Sequence, residues 1–179
     1  YKEFPDRCFD VGIAEANMVG VAAGLAAYGY KPIVVTFAPF ATRRVCDQIA
    51  VSVAYAKQNV KIVGTDPGIT AELNGGTHMS FEDIATLRSI PTMTIYDAVD
   101  DTQVYQAIKQ IMNTDGPCYI RMPRKAAQPV YDENYKFALN KADVITKGND
   151  ITIVASGIMV AESLKAVLKL KEEGISAEL

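Results

Sequence analysis

Four places along the 179-residue chain carry side chains that could do chemistry. Glu15 sits in Gly12-Ile13-Ala14-Glu15-Ala16-Asn17-Met18, a run with no cationic neighbour in sequence. A carboxyl group buried there has to be hydrogen-bonded, be protonated or serve a ligand, whereas one left at a helix start simply complements the helix dipole. Phe37 and Phe40 flank Ala38-Pro39 directly after a β-branched run, where a rigid loop can aim an aromatic face at a planar ring or the rings can fill core. In Leu73-Asn74-Gly75-Gly76-Thr77-His78-Met79 the glycines suit a backbone that approaches a ligand closely or a plain tight turn, and His78 can move a proton. Arg124, in Arg121-Met122-Pro123-Arg124, has the right chemistry for an anionic group.

The elements that must hold these side chains read as alternating strands and helices. A helix rich in small residues runs from Glu15 to Ala27 and is stopped by Gly29 and Pro32. Ile33 to Phe37 is a buried-type strand, and a helix is expected from about Ala41 to Lys57. Strands follow at Lys61 to Gly64, Thr92 to Tyr96 and Cys118 to Arg121, separated by helices at Phe81 to Ser89 and Thr102 to Asn113. This alternation predicts an α/β, doubly wound, mainly parallel sheet flanked by helices, with ligands at the carboxyl ends of the strands. All four groups follow a strand or open a helix.

The expected domain plan has three parts. Residues 1–124 form the α/β domain with its N-terminal edge missing, and 125–137, polar and irregular, form a linker. Residues 138–179 begin a second α/β domain that is cut short, with a strand at Ile151 to Gly157, a helix at Val160 to Glu173 and a strand opening at Ile175.

Composition excludes several classes. Lys plus Arg total 18 against 21 Asp plus Glu, a net charge of −3, so there is no nucleic-acid footprint and no electrostatic membrane anchor. One histidine cannot build a His-rich metal centre, so no metal ligands are assigned to this chain. Cys8, Cys46 and Cys118 are odd in number and outside any CxxC, which points to a reducing, cytoplasmic setting. The apolar stretch from Ala14 to Ala27 is too short and too interrupted to span a bilayer.

In order along the chain, the landmarks resemble the pyrimidine-binding domain of transketolase and its thiamine-diphosphate-dependent relatives over about residues 4 to 135. The resemblance rests on Phe4-Pro5-Asp6-Arg7, Val11 to Met18, Ala22 to Ala26, Gly29 to Pro32, Thr36 to Phe40, Gly75 to His78, Glu82 to Ala85 and Arg88 to Pro91. Residues 136 to 179 are similar to the start of the family's C-terminal domain, and the whole is most similar to the C-terminal subunits of split transketolases. The resemblance implies transfer of a two-carbon ketol group between sugar phosphates through a thiamine-diphosphate adduct, with magnesium as second cofactor. It places Glu15 on the glutamate that bonds the aminopyrimidine N1′, Phe40 and Phe37 on the aromatics against the pyrimidine, and His78 on a histidine at the reacting centre. It places Arg124 on an arginine that holds the sugar phosphate. Asn74 stands where transketolases carry an aspartate that reads a substrate hydroxyl, and Asp66 where many carry a phosphate-binding histidine.

The Gly-Asp-Gly segment with a downstream Asn that holds magnesium and diphosphate in this family is absent from the sequence, and Gly148-Asn149-Asp150 does not replace it. The resemblance therefore implies an N-terminal partner subunit carrying that half, in a homodimer or heterotetramer whose active sites form between chains. Within the same family, a 1-deoxy-D-xylulose-5-phosphate synthase-like enzyme and a 2-oxoacid dehydrogenase β-subunit-like enzyme are the alternatives. A non-catalytic module of the same fold is the alternative of another class. A nucleotide-binding Rossmann unit is disfavoured because no GxGxxG follows a strand and opens a helix.

Overall fold

A computed structural model describes residues 2–179. Its first helix, α1 (Glu15–Ala27), ends as its composition dictates. Gly29 takes a left-handed φ of +91°, its N–H bonds Ala26 O at 2.9 Å, and the Tyr30 N–H bonds Leu25 O at 3.1 Å. These two bonds satisfy carbonyls that the helix itself leaves free.

Strands β1 (Ile33–Phe37), β2 (Lys61–Thr65), β3 (Thr94–Asp97) and β4 (Cys118–Met122) form one wholly parallel sheet in the order β1-β2-β4-β3. Side chains alternate across it, so β2, β3 and β4 each feed two cores, whereas β1 feeds one and leaves Ile33 and Val35 exposed. Val34, Ile62 and Tyr119, which are register partners, pack with α1 and with α4 (Asp83–Arg88) on one face. Val63, Cys118 and Ile120 pack with Ala107 and Ile111 of α5 (Asp101–Asn113) on the other. This is the doubly wound α/β arrangement that the strand and helix alternation predicts.

The helix expected from Ala41 to Lys57 is instead segmented. It begins earlier, as α2 (Ala38–Ala41), and continues as a 3₁₀ turn at Arg43–Val45, α3 (Cys46–Gln48) and a π-helical segment at Ile49–Tyr55. Thr42 is the cause: its backbone is non-helical at φ −127°, ψ −88°, and its hydroxyl donates to Ala38 O at 2.6 Å. That carbonyl is the one the Thr42 backbone N–H would bond in an uninterrupted helix.

Residues 123–150 contain no helix or strand, yet parts of them are held firmly. Gln106 and Gln110, one turn apart on α5, pair with the backbone of Tyr135, Phe137 and Leu139; Gln106 Oε1 accepts from Phe137 N at 2.9 Å and Gln110 Oε1 from Leu139 N at 3.0 Å. Two amides thus act as a short sheet edge, and Phe137 and Leu139 pack into the second core. Beyond lie β5 (Ile151–Thr152) and β6 (Ala177–Glu178), paired in parallel and joined through α6 (Met159–Glu172). Both strands are shorter than the sequence pattern suggests. Among the described residues, no helix is long and apolar enough to cross a membrane.

Candidate active site

Register brings the strand ends level. Phe37 of β1 pairs with Thr65 of β2, Thr65 with Met122 of β4, and Asp97 of β3 with Arg121 of β4. Each strand therefore delivers its next residues to one edge, which is where a parallel sheet places its ligands.

Three rings meet there. His78 lies 5.1 Å from Phe37 and 5.0 Å from Phe40, centroid to centroid and edge-to-face in both cases, and the two phenyl rings stand 6.1 Å apart at 85°. Such edge contacts suit the ring quadrupoles and fix the imidazole between two apolar walls. His78 is carried by a 3₁₀ segment (Gly68–Asn74) that turns at Gly75, where φ is +81°, and the His78 N–H bonds Gly75 O at 3.0 Å. Thr77 Oγ1 is 2.9 Å from His78 Nδ1, which leaves Nε2 as the ring nitrogen without a hydrogen-bond partner among the described residues. Arg43 braces this loop by donating to Thr77 O at 3.2 Å and to Glu82 Oε1 at 2.9 Å.

Glu15, first residue of α1, is held from another direction. No cation neighbours it in sequence, but in three dimensions Arg44 Nη1 donates to Glu15 Oε1 at 2.8 Å. The same guanidinium lies over the Phe40 ring, its Cζ 3.7 Å from the centroid. Phe40 lies in α2 and Arg44 in the 3₁₀ turn beyond the non-helical Thr42, so their contact crosses that break. Sequence adjacency cannot reveal a partner 29 residues away.

Asp66, Asn74 and Arg124 form the far side. Asp66 is fully buried at a left-handed φ of +50°, tolerable for aspartate. Its Oδ1 accepts from the Arg124 backbone N–H at 2.9 Å, and its Oδ2 lies 3.0 Å from Arg124 Nε, an ion pair without hydrogen-bond alignment. Arg124 Nη2 donates to Asn74 Oδ1 at 3.3 Å, and the Arg124 Cζ stands 5.7 Å from the Phe37 ring. Arg124 itself is exposed, so its remaining N–H groups face outward. Asp66 reaches any ligand only through Arg124.

One unbroken series of contacts thus runs Glu15, Arg44, Phe40, His78, Phe37, Arg124 and then Asp66 and Asn74. Arg121, which sequence groups with Arg124, points elsewhere: its Nε donates to the buried Asp83 at 2.8 Å and its Nη1 to Asp97 at 3.4 Å. Burial works against its charge, but Asp97 and Asp83 beside it outweigh that and push its pKa up. Tyr119 completes this second group, its phenol donating to Asp83 Oδ2 at 2.9 Å. The group missed by sequence reading is structural: Asp97 Oδ2 also accepts from Ser156 Oγ at 2.8 Å, tying the main sheet to the segment that leads into α6.

The donor set at Glu15 and Phe40 fits an aminopyrimidine. A flat, nitrogen-rich cation already rests on the Phe40 face while donating to the Glu15 carboxylate, and that geometry is what a stacked aminopyrimidine with a protonated ring nitrogen requires. Among the described residues no three His, Cys, Asp or Glu side chains converge on a point.

The family model of the transketolase pyrimidine-binding domain matches residues 1–129, and that of the transketolase C-terminal domain matches residues 140–179. The chain is 56% identical over 178 residues to the 6-deoxy-6-sulfo-D-fructose transketolase subunit SqwH of Clostridium sp. (strain MSTE9), covering 99% of this chain and 55% of that protein. It is 38% identical over 179 residues to an apulose-4-phosphate transketolase subunit of Phocaeicola vulgatus, covering 99% and 57%. Among solved structures it superposes on a split-gene transketolase, described as an inactive β4 tetramer, with a TM-score of 0.90 and 40% identity over 99% of this chain and 57% of that one. The chain spans about half the length of the curated relatives it matches.

Proposed function

The chain belongs to the transketolase family, and on that basis we propose that it is the pyrimidine-side part of a thiamine-diphosphate-dependent enzyme that moves a two-carbon ketol group between sugars. The observation that carries the reading is Arg44, a planar cation that lies over the Phe40 ring while donating to the Glu15 carboxylate. When bound, thiamine diphosphate supplies the nucleophilic carbon and the electron sink that ketol transfer needs.

This chain's residues bind, orient and move protons. Glu15 accepts a hydrogen bond from the pyrimidine ring nitrogen and holds the proton there. Phe40 and Phe37 wall the ring and keep water from it. His78, fixed between them, presents Nε2 to the substrate and transfers protons at the reacting centre. Arg124 takes the anionic end of the sugar, with Asp66 and Asn74 fixing its guanidinium. One relative is named for a sulfonated sugar and another for a phosphorylated one, so a tetrahedral terminal anion is the shared chemistry we assign to the substrate.

We assign magnesium and the diphosphate to a partner subunit, a reading supported by the likeness to split transketolase subunits. We place the boundary between the pyrimidine-binding part and the C-terminal part within residues 125–137. Three unpaired cysteines fit a reducing cytoplasm.

The test is assay of this chain assembled with a subunit carrying the diphosphate half, supplied with cofactor and magnesium. Ketol transfer from a ketose phosphate or sulfonate donor is expected. Turnover of pyruvate alone would move the assignment to the synthase or dehydrogenase branch of the family, and cofactor binding without turnover of any donor would leave the non-catalytic reading.

A further inference from the structure

Arg44 makes both contacts that the proposed function gives to the aminopyrimidine. Its guanidinium stacks on Phe40 at 3.7 Å and donates to Glu15 Oε1 at 2.8 Å. Two flat groups cannot occupy the same face and the same carboxylate oxygen. Glu15 is the fixed member, its side chain only 11% exposed, while the Arg44 side chain is 44% exposed and its sole hydrogen-bond acceptor among the described residues is Glu15. The side chain able to leave is therefore Arg44, which can swing into water with its charge solvated.

We propose that Arg44 is an internal stand-in for the cofactor's pyrimidine: it holds the Glu15 carboxylate and the Phe40 ring in their working positions and is displaced when the cofactor enters. This rests on the assignment of Glu15 and Phe40 to the pyrimidine site. Physically, an unpaired carboxylate against an aromatic wall is unfavourable, and a mobile cation compensates for it while competing with the ligand. Arg43, next in sequence, is engaged with Glu82 and Thr77 and cannot take over the role.

The experiment is calorimetric titration of thiamine diphosphate, with magnesium, into the assembled enzyme carrying wild-type chain, Arg44→Gln or Arg44→Lys. An exposed ion pair and a cation–π contact are both lost in Arg44→Gln, so its dissociation constant is expected to fall by about tenfold. Arg44→Lys, which keeps the charge but not the flat stack, is expected between the two, and it serves as the check if Arg44→Gln assembles poorly. Equal affinity in all three proteins, or weaker binding in Arg44→Gln, overturns the stand-in role while leaving the proposed function intact. Absence of cofactor binding in every protein, wild type included, overturns the proposed function and this inference with it.

Discussion

Asp66, wholly buried, holds Arg124 at two points, the backbone N–H at 2.9 Å and Nε at 3.0 Å. An ion pair from a buried carboxylate restricts the orientations of the guanidinium and so lowers the entropy cost of meeting an anion. Asp66→Asn keeps an oxygen for the backbone N–H and removes the ion pair. In the assembled enzyme we expect KM for an anion-terminated sugar to rise about tenfold, which corresponds to about 1.4 kcal/mol, with a much smaller change in kcat. Steady-state kinetics with one donor at saturating acceptor checks this. An equal fall in kcat with KM unchanged would place Asp66 in the chemistry rather than in positioning Arg124.

Gly64 is a packing requirement of the same sheet. A Cβ at that position would overlap the Tyr119 hydroxyl, which is buried and bonded to Asp83. Neither the strand backbone nor the phenol can give way easily, so Gly64→Ala is expected to destabilise the fold by about 1–3 kcal/mol. The readout is the midpoint of denaturant unfolding.

Burial pushes the phenols of Tyr96 and Tyr119 far above their usual range, with Asp83 adding to the effect at Tyr119. Free tyrosine titrates at about pH 10. Because the folded pKa values are raised, the stability these groups contribute is fully present below about pH 10. It is lost as pH rises further, since the unfolded chain releases protons that the folded chain keeps. Unfolding free energy measured between about pH 9 and 11 should fall in the wild type and fall less steeply in Tyr119→Phe.

The three cysteines should separate by reactivity. Burial pushes the Cys118 thiol up to about 11, whereas Cys8 and Cys46 are partly exposed. Since the thiolate is the nucleophile, iodoacetamide at about pH 8 is expected to label Cys8 and Cys46 and to spare Cys118 until the chain is denatured. Intact-mass spectrometry counts the adducts, and three on the native chain would contradict the packing of β4.

Strands are the most legible part of the fold: the β-branched run Ile33 to Phe37 after Pro32, and the short run Cys118 to Arg121 between Pro117 and Pro123, recur almost unchanged as β1 and β4. The stretch after Phe40 reads as one helix in sequence and is not one, since the bond from the Thr42 hydroxyl to Ala38 O leaves no trace in hydrophobic periodicity. Convergence of Phe37, Phe40 and His78 joins a strand end, α2 and the loop beyond a 3₁₀ segment, and family likeness conveys it where periodicity does not. Arg44 escapes both routes: its role depends on where α1 delivers Glu15, a tertiary fact. The glutamine clasp of Gln106 and Gln110 on Phe137 and Leu139 is equally invisible, because amide side chains pairing with distant backbone have no periodic pattern.

Glu15, on the proposed function, serves a thiamine cofactor in ketol transfer. That role is tested most directly by turnover of the assembled enzyme carrying Glu15→Gln, at thiamine diphosphate concentrations shown by calorimetry to saturate both proteins. Removing a group that positions and holds a proton is expected to lower kcat by at least about a hundredfold, with cofactor still bound. Equal turnover in the two cofactor-saturated proteins would contradict it.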